Sequence, residues 1–378
     1  MKLFDVYSLL DMEPVKASGA YLWDKQGEEY LDFYGGHAVI SIGHSHPHYV
    51  EKITDQLSKI GFYSNAVINS LQVELAEKLG ELSGYDDYEL FLCNSGAEAN
   101  ENALKLASFT TGRERVLAMK AAFHGRTSMA VAVTDNPKIQ APVNCTDKVS
   151  FVGLNDVEAL KKELASNEYA AVIIEPIQGV GGIQVASDEF LKAAREACDA
   201  TGTMLIIDEI QAGYGRSGKF FAHQWSDVKA DIITLAKGIA NGFPVGAVMI
   251  SPAIPAKKGM LGTTFGGSHL ACAAAIAVAD VVKAENLVEN ARKMGEKIIE
   301  GIKGVSGIKD IRGRGLMIGI DLSEPQAAFR KVLREKHHIM TGLSGEYTLR
   351  LLPPLMIGEK EVERFVEAFK STAEEMGM

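Results

Sequence analysis

The sequence predicts an α/β fold built on one large, mostly parallel sheet, with a smaller α+β domain beside it. Three observations carry this expectation. Short apolar runs recur with helix-length intervals between them, the pattern of successive βαβ units. Two of the runs end in charge, Met204-Leu-Ile-Ile-Asp208-Glu209 and Asp231-Ile-Ile-Thr-Leu-Ala-Lys237-Gly238. That places acid and amine at buried strand ends, where open α/β sheets present their chemistry. A chain of 378 residues also exceeds the size at which one core keeps growing, so two domains are the default.

Seven segments read as strands: Tyr88 to Cys93, Arg115 to Met119, Val149 to Val152, Ala171 to Ile174, Met204 to Ile207, Ile232 to Leu235 and Val245 to Ile250. The intervals carry helical spacing, as in Glu98 to Phe109, Asp156 to Ala165 and Phe190 to Ala200, the last followed by Gly202 as a stop. An alanine-rich stretch from Ser268, then Asp280 to Lys303, reads as one or two helices leading out of the sheet. Beyond it come a strand at Gly315 to Asp321, a helix at Gln326 to Lys336, a strand at Tyr347 to Leu352 and an amphipathic helix at Glu359 to Glu375. The resulting division is a large domain at 46–275 and a small domain made of 1–45 and 276–378.

Composition narrows the function classes. A hydrophobic content of 47% and a charged content of 23% are those of an ordinary globular chain. A formal net charge of −10 argues against nucleic acid or an anionic membrane as a partner. No run of about 18 apolar residues occurs, and the Met1-Lys-Leu-Phe-Asp-Val-Tyr7 start lacks a signal-peptide pattern, so a cytoplasmic location is expected. Cys93, Cys145, Cys198 and Cys272 are far apart and read as buried small hydrophobes, with no disulfide framework. His44-Ser-His46-Pro-His48 has neither carboxylate nor thiolate company in sequence and reads as a turn, so no metal is expected.

Lys237 is the residue from which the chemistry is read. Desolvation lowers a lysine's pKa and favours the neutral amine that makes an imine. A lysine for a Schiff base and an acid, Asp208, for a pyridinium nitrogen are the two protein groups that pyridoxal phosphate demands. Other strand ends supply what a phosphorylated ring needs. Ser95 stands before a helix start at Asn94-Ser95-Gly96-Ala97-Glu98, whose free N–H groups and hydroxyl make a phosphate site. In Phe123-His124-Gly125-Arg126-Thr127, Phe123 offers a stacking face and Arg126 a fork for a carboxylate. Glu175 supports the site from behind, and Gln211, one turn beyond Asp208 if a helix starts there, reaches the ring's phenolic oxygen.

Taken together and in this order, these segments resemble the class III (subgroup II, omega) aminotransferases of the fold type I pyridoxal phosphate enzymes. The resemblance runs from Gly43-His44 through Glu175-Pro176 and Asp208-Glu209-Ile210-Gln211 to Arg350-Leu351-Leu352-Pro353-Pro354. Within that family the chain is most similar to the acetylornithine and succinylornithine aminotransferases, through Asp32-Phe-Tyr-Gly-Gly36 and Arg312-Gly-Arg-Gly-Leu-Met317 as well. The resemblance implies transfer of the terminal amine of an N2-acylornithine to 2-oxoglutarate, in arginine biosynthesis. It implies that Lys237 forms the Schiff base, Asp208 pairs with the ring nitrogen, Gln211 meets the phenolic oxygen and Phe123 stacks. Ser95, Gly96 and Ala97 hold the phosphate, and Thr264 of a neighbouring subunit completes that site, which makes the enzyme a homodimer with shared active sites. Arg126 takes the acylornithine carboxylate and Arg350 a carboxylate of 2-oxoglutarate; a dicarboxylate needs two such bidentate anchors. Arg312 and Arg314, which lack aromatic or acidic context in sequence, read as structural.

Two positions depart from the family pattern. Val180 follows Gln178-Gly179 where related enzymes carry a glutamate thought to pair with the arginine matched by Arg350, which leaves that arginine ungated. His37 stands where acylornithine enzymes usually carry an apolar residue and ornithine enzymes tyrosine. It could donate to an acyl carbonyl or second carboxylate, or simply pack at the pocket edge. The alternatives within the fold are aminotransferases for ornithine, 4-aminobutyrate or a lysine derivative, and a glutamate semialdehyde aminomutase. The alternative outside it is a non-catalytic cofactor-binding regulator, in which loss of Lys237, Asp208 or the arginines would be expected.

Overall fold

The structure, a computed structural model, describes residues 1–378. Its centre is a seven-stranded sheet in the order Glu89–Cys93, Gly246–Ile250, Ile232–Leu235, Met204–Asp208, Tyr169–Ile174, Arg115–Met119, Val149–Val152. Gly246–Ile250 is antiparallel to both neighbours and every other pairing is parallel. All seven expected strands form, with ends within two residues of the sequence reading. They are continuous apolar runs because helices cover both faces of such a sheet, and Tyr169–Ile174 is buried at every position.

The helices begin and end where the chain offers caps. Ser95 accepts from the Glu98 N–H at 3.2 Å at the start of Gly96–Thr111, and Ser187 from Phe190 at 3.1 Å at the start of Asp188–Thr201. The latter ends at Gly202, whose φ of 65° is the left-handed conformation that closes a helix without a Cβ clash. The stretch after Ser268 is two helices, His269–Ala284 and Leu287–Ile302, separated at Asn286, which takes a left-handed φ of 51°. Two further helices, Pro47–Lys59 and Ser70–Ser83, precede the sheet and pack on His269–Ala284.

Outside the main sheet, Ile308–Arg314, Met317–Leu322, Thr348–Leu351 and Gly342–Ser344 form a second, antiparallel sheet. The first three strands, Pro14–Ser18, Tyr21–Asp24 and Glu29–Asp32, are joined by Ile339–Met340 from near the other end of the chain. No helix is long and apolar enough to cross a membrane.

Three expectations need correction. Cys93, Cys198 and Cys272 are buried but Cys145 is exposed, because it follows a short 3-10 turn on the surface. No helix starts at Asp208; the chain leaves the strand through successive turns, because the side chain of Asp208 accepts the Ile210 N–H at 3.0 Å and Glu209 N–H is still held by the Thr234 carbonyl. Arg312 and Arg314 do have acidic and aromatic company: Arg312 makes a two-pronged pair with Asp321 at 2.7 and 2.9 Å, and Arg314 lies over Trp225. That company comes from neighbouring strands and loops and, for Arg312, also from Asp310 on its own strand at 2.8 Å, and its role is to fasten the second sheet.

Candidate active site

The C-terminal ends of the central strands open onto one cavity of about 420 Å³. Its wall carries Ser95, Gly96 and Ala97 from a helix start, Phe123 and Arg126 from the loop after Arg115–Met119, and Glu175, Asp208, Gln211 and Lys237 from three further strand ends. Eight residues expected from sequence to touch cofactor or substrate are therefore brought together: Ser95, Gly96, Ala97, Phe123, Arg126, Asp208, Gln211 and Lys237.

Lys237 sits two residues past the end of Ile232–Leu235 with a backbone φ of 49°. A non-glycine residue in that region costs on the order of 1 kcal/mol, strain that packing around the site must hold in place. Burial pushes its amine below the ordinary value of 10.5, while the charges of Asp208 and Glu175 oppose the shift. The neutral amine, the nucleophilic and basic form, is thereby favoured.

Asp208 is almost wholly buried and its carboxylate is fully organised. Its Oδ2 accepts from Asn100 Nδ2 at 2.8 Å and meets His124 Nδ1 at 2.7 Å; its Oδ1 accepts from the Ile210 N–H. The sequence reading gave no role to Asn100 or His124, although both lie inside segments it singled out. Asn100 is the fifth residue of a helix and faces the sheet, a placement that only the packed structure reveals. Behind Phe123, Glu175 accepts the N–H groups of Phe123 at 2.8 Å and Gly179 at 3.1 Å. Burial raises the pKa of Glu175, with His124 acting in the opposite direction. Glu175 thus organises two loops, in keeping with a supporting position.

The residues present fit a phosphorylated pyridine ring. Two buried polar atoms of the site have no partner, Gln211 Oε1 and His124 Nε2, and unpaired buried polar groups are rare unless a ligand completes them. The first turn of Gly96–Thr111 leaves backbone donors of Gly96 and Ala97 at the cavity wall beside the Ser95 hydroxyl, a site for an oxyanion. Phe123, only partly buried, lines the same wall and presents its ring.

Three expected residues lie apart from that wall. Arg350 is buried behind it, donating from Nη1 to the Gly179 carbonyl at 2.8 Å with its Nε unpartnered. Arg350 is thus held by a backbone carbonyl, while Val180 is half exposed and its own carbonyl accepts from Ser344. His37 is exposed, packs against Tyr34 and takes a positive φ of 66°. Its carbonyl accepts from Gln211 Nε2 at 3.0 Å. Burial and the charges of Arg350 and Lys237 all push its imidazole below the usual value. Thr264 is exposed on the loop between Gly262 and Gly267 and contributes nothing to the cavity of its own chain.

Comparison with known proteins agrees with this chemistry. The family described as aminotransferase class-III matches residues 6–373. An acetylornithine aminotransferase of Methanosarcina mazei is 39% identical over 359 residues, covering 94% of this chain and 90% of that one. A LysW-aminoadipate semialdehyde/glutamate semialdehyde transaminase of Sulfolobus acidocaldarius is 38% identical over 370 residues, covering 96% and 95%. Among solved structures, an ornithine aminotransferase of Toxoplasma gondii, with pyridoxal phosphate partially occupying its active site, superposes with a TM-score of 0.91 at 30% identity, covering 99% of this chain and 94% of that one. With a buried lysine and a buried carboxylate at neighbouring strand ends and a helix start beside them, the chain belongs to the class-III aminotransferases and is a pyridoxal phosphate-dependent transaminase.

Proposed function

We propose that the protein moves the terminal amino group of an N2-acylornithine, N-acetyl or N-succinyl, to 2-oxoglutarate, giving the acylglutamate semialdehyde and glutamate in arginine biosynthesis. The observation that carries this reading is Arg126. It is exposed at the cavity wall and makes no hydrogen bond or ion pair, although the chain's other arginines all have acceptors. An unpaired guanidinium facing a reactive lysine suits a substrate that carries a carboxylate away from its reacting amine. The name carried by the Methanosarcina mazei relative supports the same substrate class.

When bound, pyridoxal phosphate supplies an aldehyde that captures the amine and a ring that accepts the electrons left when a proton departs. In this reading Lys237 would hold the cofactor, and its free amine would be the base that takes a proton from the substrate's terminal carbon and the acid that returns it to the carbon receiving it. Asp208 keeps the ring nitrogen protonated through a charge-assisted hydrogen bond. Phe123 stacks on the ring, Gln211 meets its phenolic oxygen, and Ser95, Gly96 and Ala97 bind the phosphate. Arg126 orients the acylornithine carboxylate and Arg350 a carboxylate of 2-oxoglutarate, with His37 at the acyl end.

Thr264, exposed in its own chain, is read as the phosphate ligand of a second copy, so the working unit is a homodimer with shared active sites. Residues 46–275 form the cofactor-binding domain, 1–45 with 276–378 the small one, and the enzyme works in the cytoplasm. A glutamate-coupled assay with N-acetylornithine, N-succinylornithine, ornithine and 4-aminobutyrate as donors tests the reading. Preference for an acylornithine is expected; preference for ornithine or 4-aminobutyrate overturns it. A lysine derivative is the second reading, favoured by the name of the Sulfolobus acidocaldarius relative, and belongs in the same assay.

A further inference from the structure

Asn100 is completely buried and is not part of the cavity wall, yet three hydrogen bonds of its amide go to residues of the site and its supports. Both of its donors are used: its Nδ2 donates to Asp208 Oδ2 and to the His124 carbonyl, each at 2.8 Å. Its Oδ1 accepts from the Thr234 hydroxyl, also at 2.8 Å. Both oxygens that the Nδ2 meets are acceptors, so a flipped amide would set oxygen against oxygen twice, and the orientation of the side chain is fixed. Thr234 is equally buried and stands directly opposite Asp208 in the pairing of their strands. It is three residues before Lys237.

The consequence falls on Asp208. Its Oδ2 receives two side-chain donors, Asn100 Nδ2 and His124 Nδ1, and a carboxylate oxygen has about two in-plane lone pairs to offer. Its Oδ1 receives only the Ile210 N–H at 3.0 Å and keeps one lone pair, and Asp208 lines the cavity. The proton of an N–H group in the cavity has therefore one oxygen to go to. The chain Thr234–Asn100–Asp208 also links the helix that begins at the oxyanion cradle to the two strands that end in acid and in amine.

We infer that Asn100 and Thr234 are positioning residues for Asp208, reserving Oδ1 for the ring nitrogen of bound pyridoxal phosphate and holding the carboxylate in register with Lys237. The inference rests on reading Asp208 as the ring-nitrogen partner. Neither residue touches cofactor or substrate, and each acts through Asp208. Losing the amide removes a donor from a buried carboxylate; losing the hydroxyl leaves Asn100 Oδ1 buried without a donor.

The test uses the full chain with and without pyridoxal phosphate, and variants Asn100→Ala, Thr234→Val and Thr234→Ser. The readouts are the dissociation constant of pyridoxal phosphate, the pH titration of the loaded protein's visible absorbance, and Tm. Asn100→Ala and Thr234→Val are expected to weaken the cofactor at least about tenfold, the size of one lost hydrogen bond to a charged group. Their absorbance titrations should be displaced from the parent's, since a less firmly held carboxylate changes the electron demand of the ring on the group that titrates. Thr234→Ser, which keeps the hydroxyl, should match the parent in both. Wild-type affinity and an unmoved titration in Thr234→Val, with or without a fall in Tm, overturn the inference, and this variant decides alone if Asn100→Ala does not fold. No amino donor enters the experiment, so a wrong substrate assignment fails in the donor assay and leaves this result standing. A parent protein that does not bind pyridoxal phosphate sinks the ring-partner reading itself.

Discussion

A methyl group placed on Gly179 would lie 1.7 Å from Oε1 of Gln211. Gly179 also donates to Glu175 and accepts from Arg350, so its backbone cannot retreat without disturbing both. Gln211 can, because its carboxamide is the far end of a flexible side chain. Gly179→Ala should therefore fold, with Gln211 driven from the cavity wall. The expected result is a weaker hold on pyridoxal phosphate with Tm little changed, read by cofactor titration and thermal melting. Unaltered affinity would remove Gln211 from the set of cofactor contacts.

The contact between His124 Nδ1 and Asp208 Oδ2 is buried on both sides. Replacing Asp208 with Asn removes the carboxylate proposed to pair with the ring nitrogen; His124→Phe removes that carboxylate's partner and keeps the bulk. A lost interaction of about 3 kcal/mol corresponds to roughly a hundredfold in rate. Asp208→Asn should lose at least that much in kcat, and His124→Phe about tenfold, with little change in KM for the amino donor. A change in KM alone would assign the pair to substrate binding instead.

Lys237 gives a prediction with a definite sign. Its amine is held below 10.5 in the fold, so the unfolded chain binds more protons wherever the pH lies between the folded value and 10.5. Stability must rise with pH across that window, and the whole penalty of burying the amine is present below it. Lys237→Met, expected to lose turnover, should raise the Tm of the cofactor-free protein at neutral pH. The gain should close as the pH approaches 10.5. A Tm difference that is constant with pH would show that packing, not charge, is responsible.

Arg126 has no partner within the protein, so its replacement exposes no orphaned acceptor. Arg126→Ala should leave Tm within about a degree while raising KM for the acylornithine by about 10- to 100-fold, as for loss of 1.5 to 3 kcal/mol from a hydrogen bond to a charged group. Arg126→Lys should recover part of this, because it keeps the charge and loses the fork. Steady-state kinetics with donor and acceptor varied separately checks it, and an unchanged donor KM would move the carboxylate elsewhere.

Arg312 offers a contrast. Its two bonds to Asp321 and one to the Gly182 carbonyl tie a strand of the second sheet to its neighbour and to the loop after Val180. Arg312→Met should lower Tm, by removing a part-buried pair, with substrate KM unchanged; a raised KM for 2-oxoglutarate would make it a substrate ligand.

Much of the site was legible because its members sit where local sequence marks a strand ending or a helix beginning. Lys237 and Asp208 each close an apolar run, and Ser95 caps a helix, so the elements that carry them are written in the residues beside them. Asn100 and His124 could not be read the same way. Asn100 meets an acid 108 residues away and His124 one 84 residues away, and nothing near either in sequence marks that meeting. The company of Arg312, the exposure of Cys145 and the backbone partner of Arg350 depend likewise on which surfaces come together.

The sequence by itself determined the seven strands, most helix limits and the residue types of a pyridoxal site, since apolar period, caps and strand ends are properties of adjacent residues. Tertiary structure alone decided which oxygen of Asp208 keeps a lone pair, in which direction the amine of Lys237 is moved from its ordinary pKa, and which arginine remains unpaired. Those depend on burial and on partners brought within hydrogen-bond reach from distant parts of the chain, and only the packed fold fixes both.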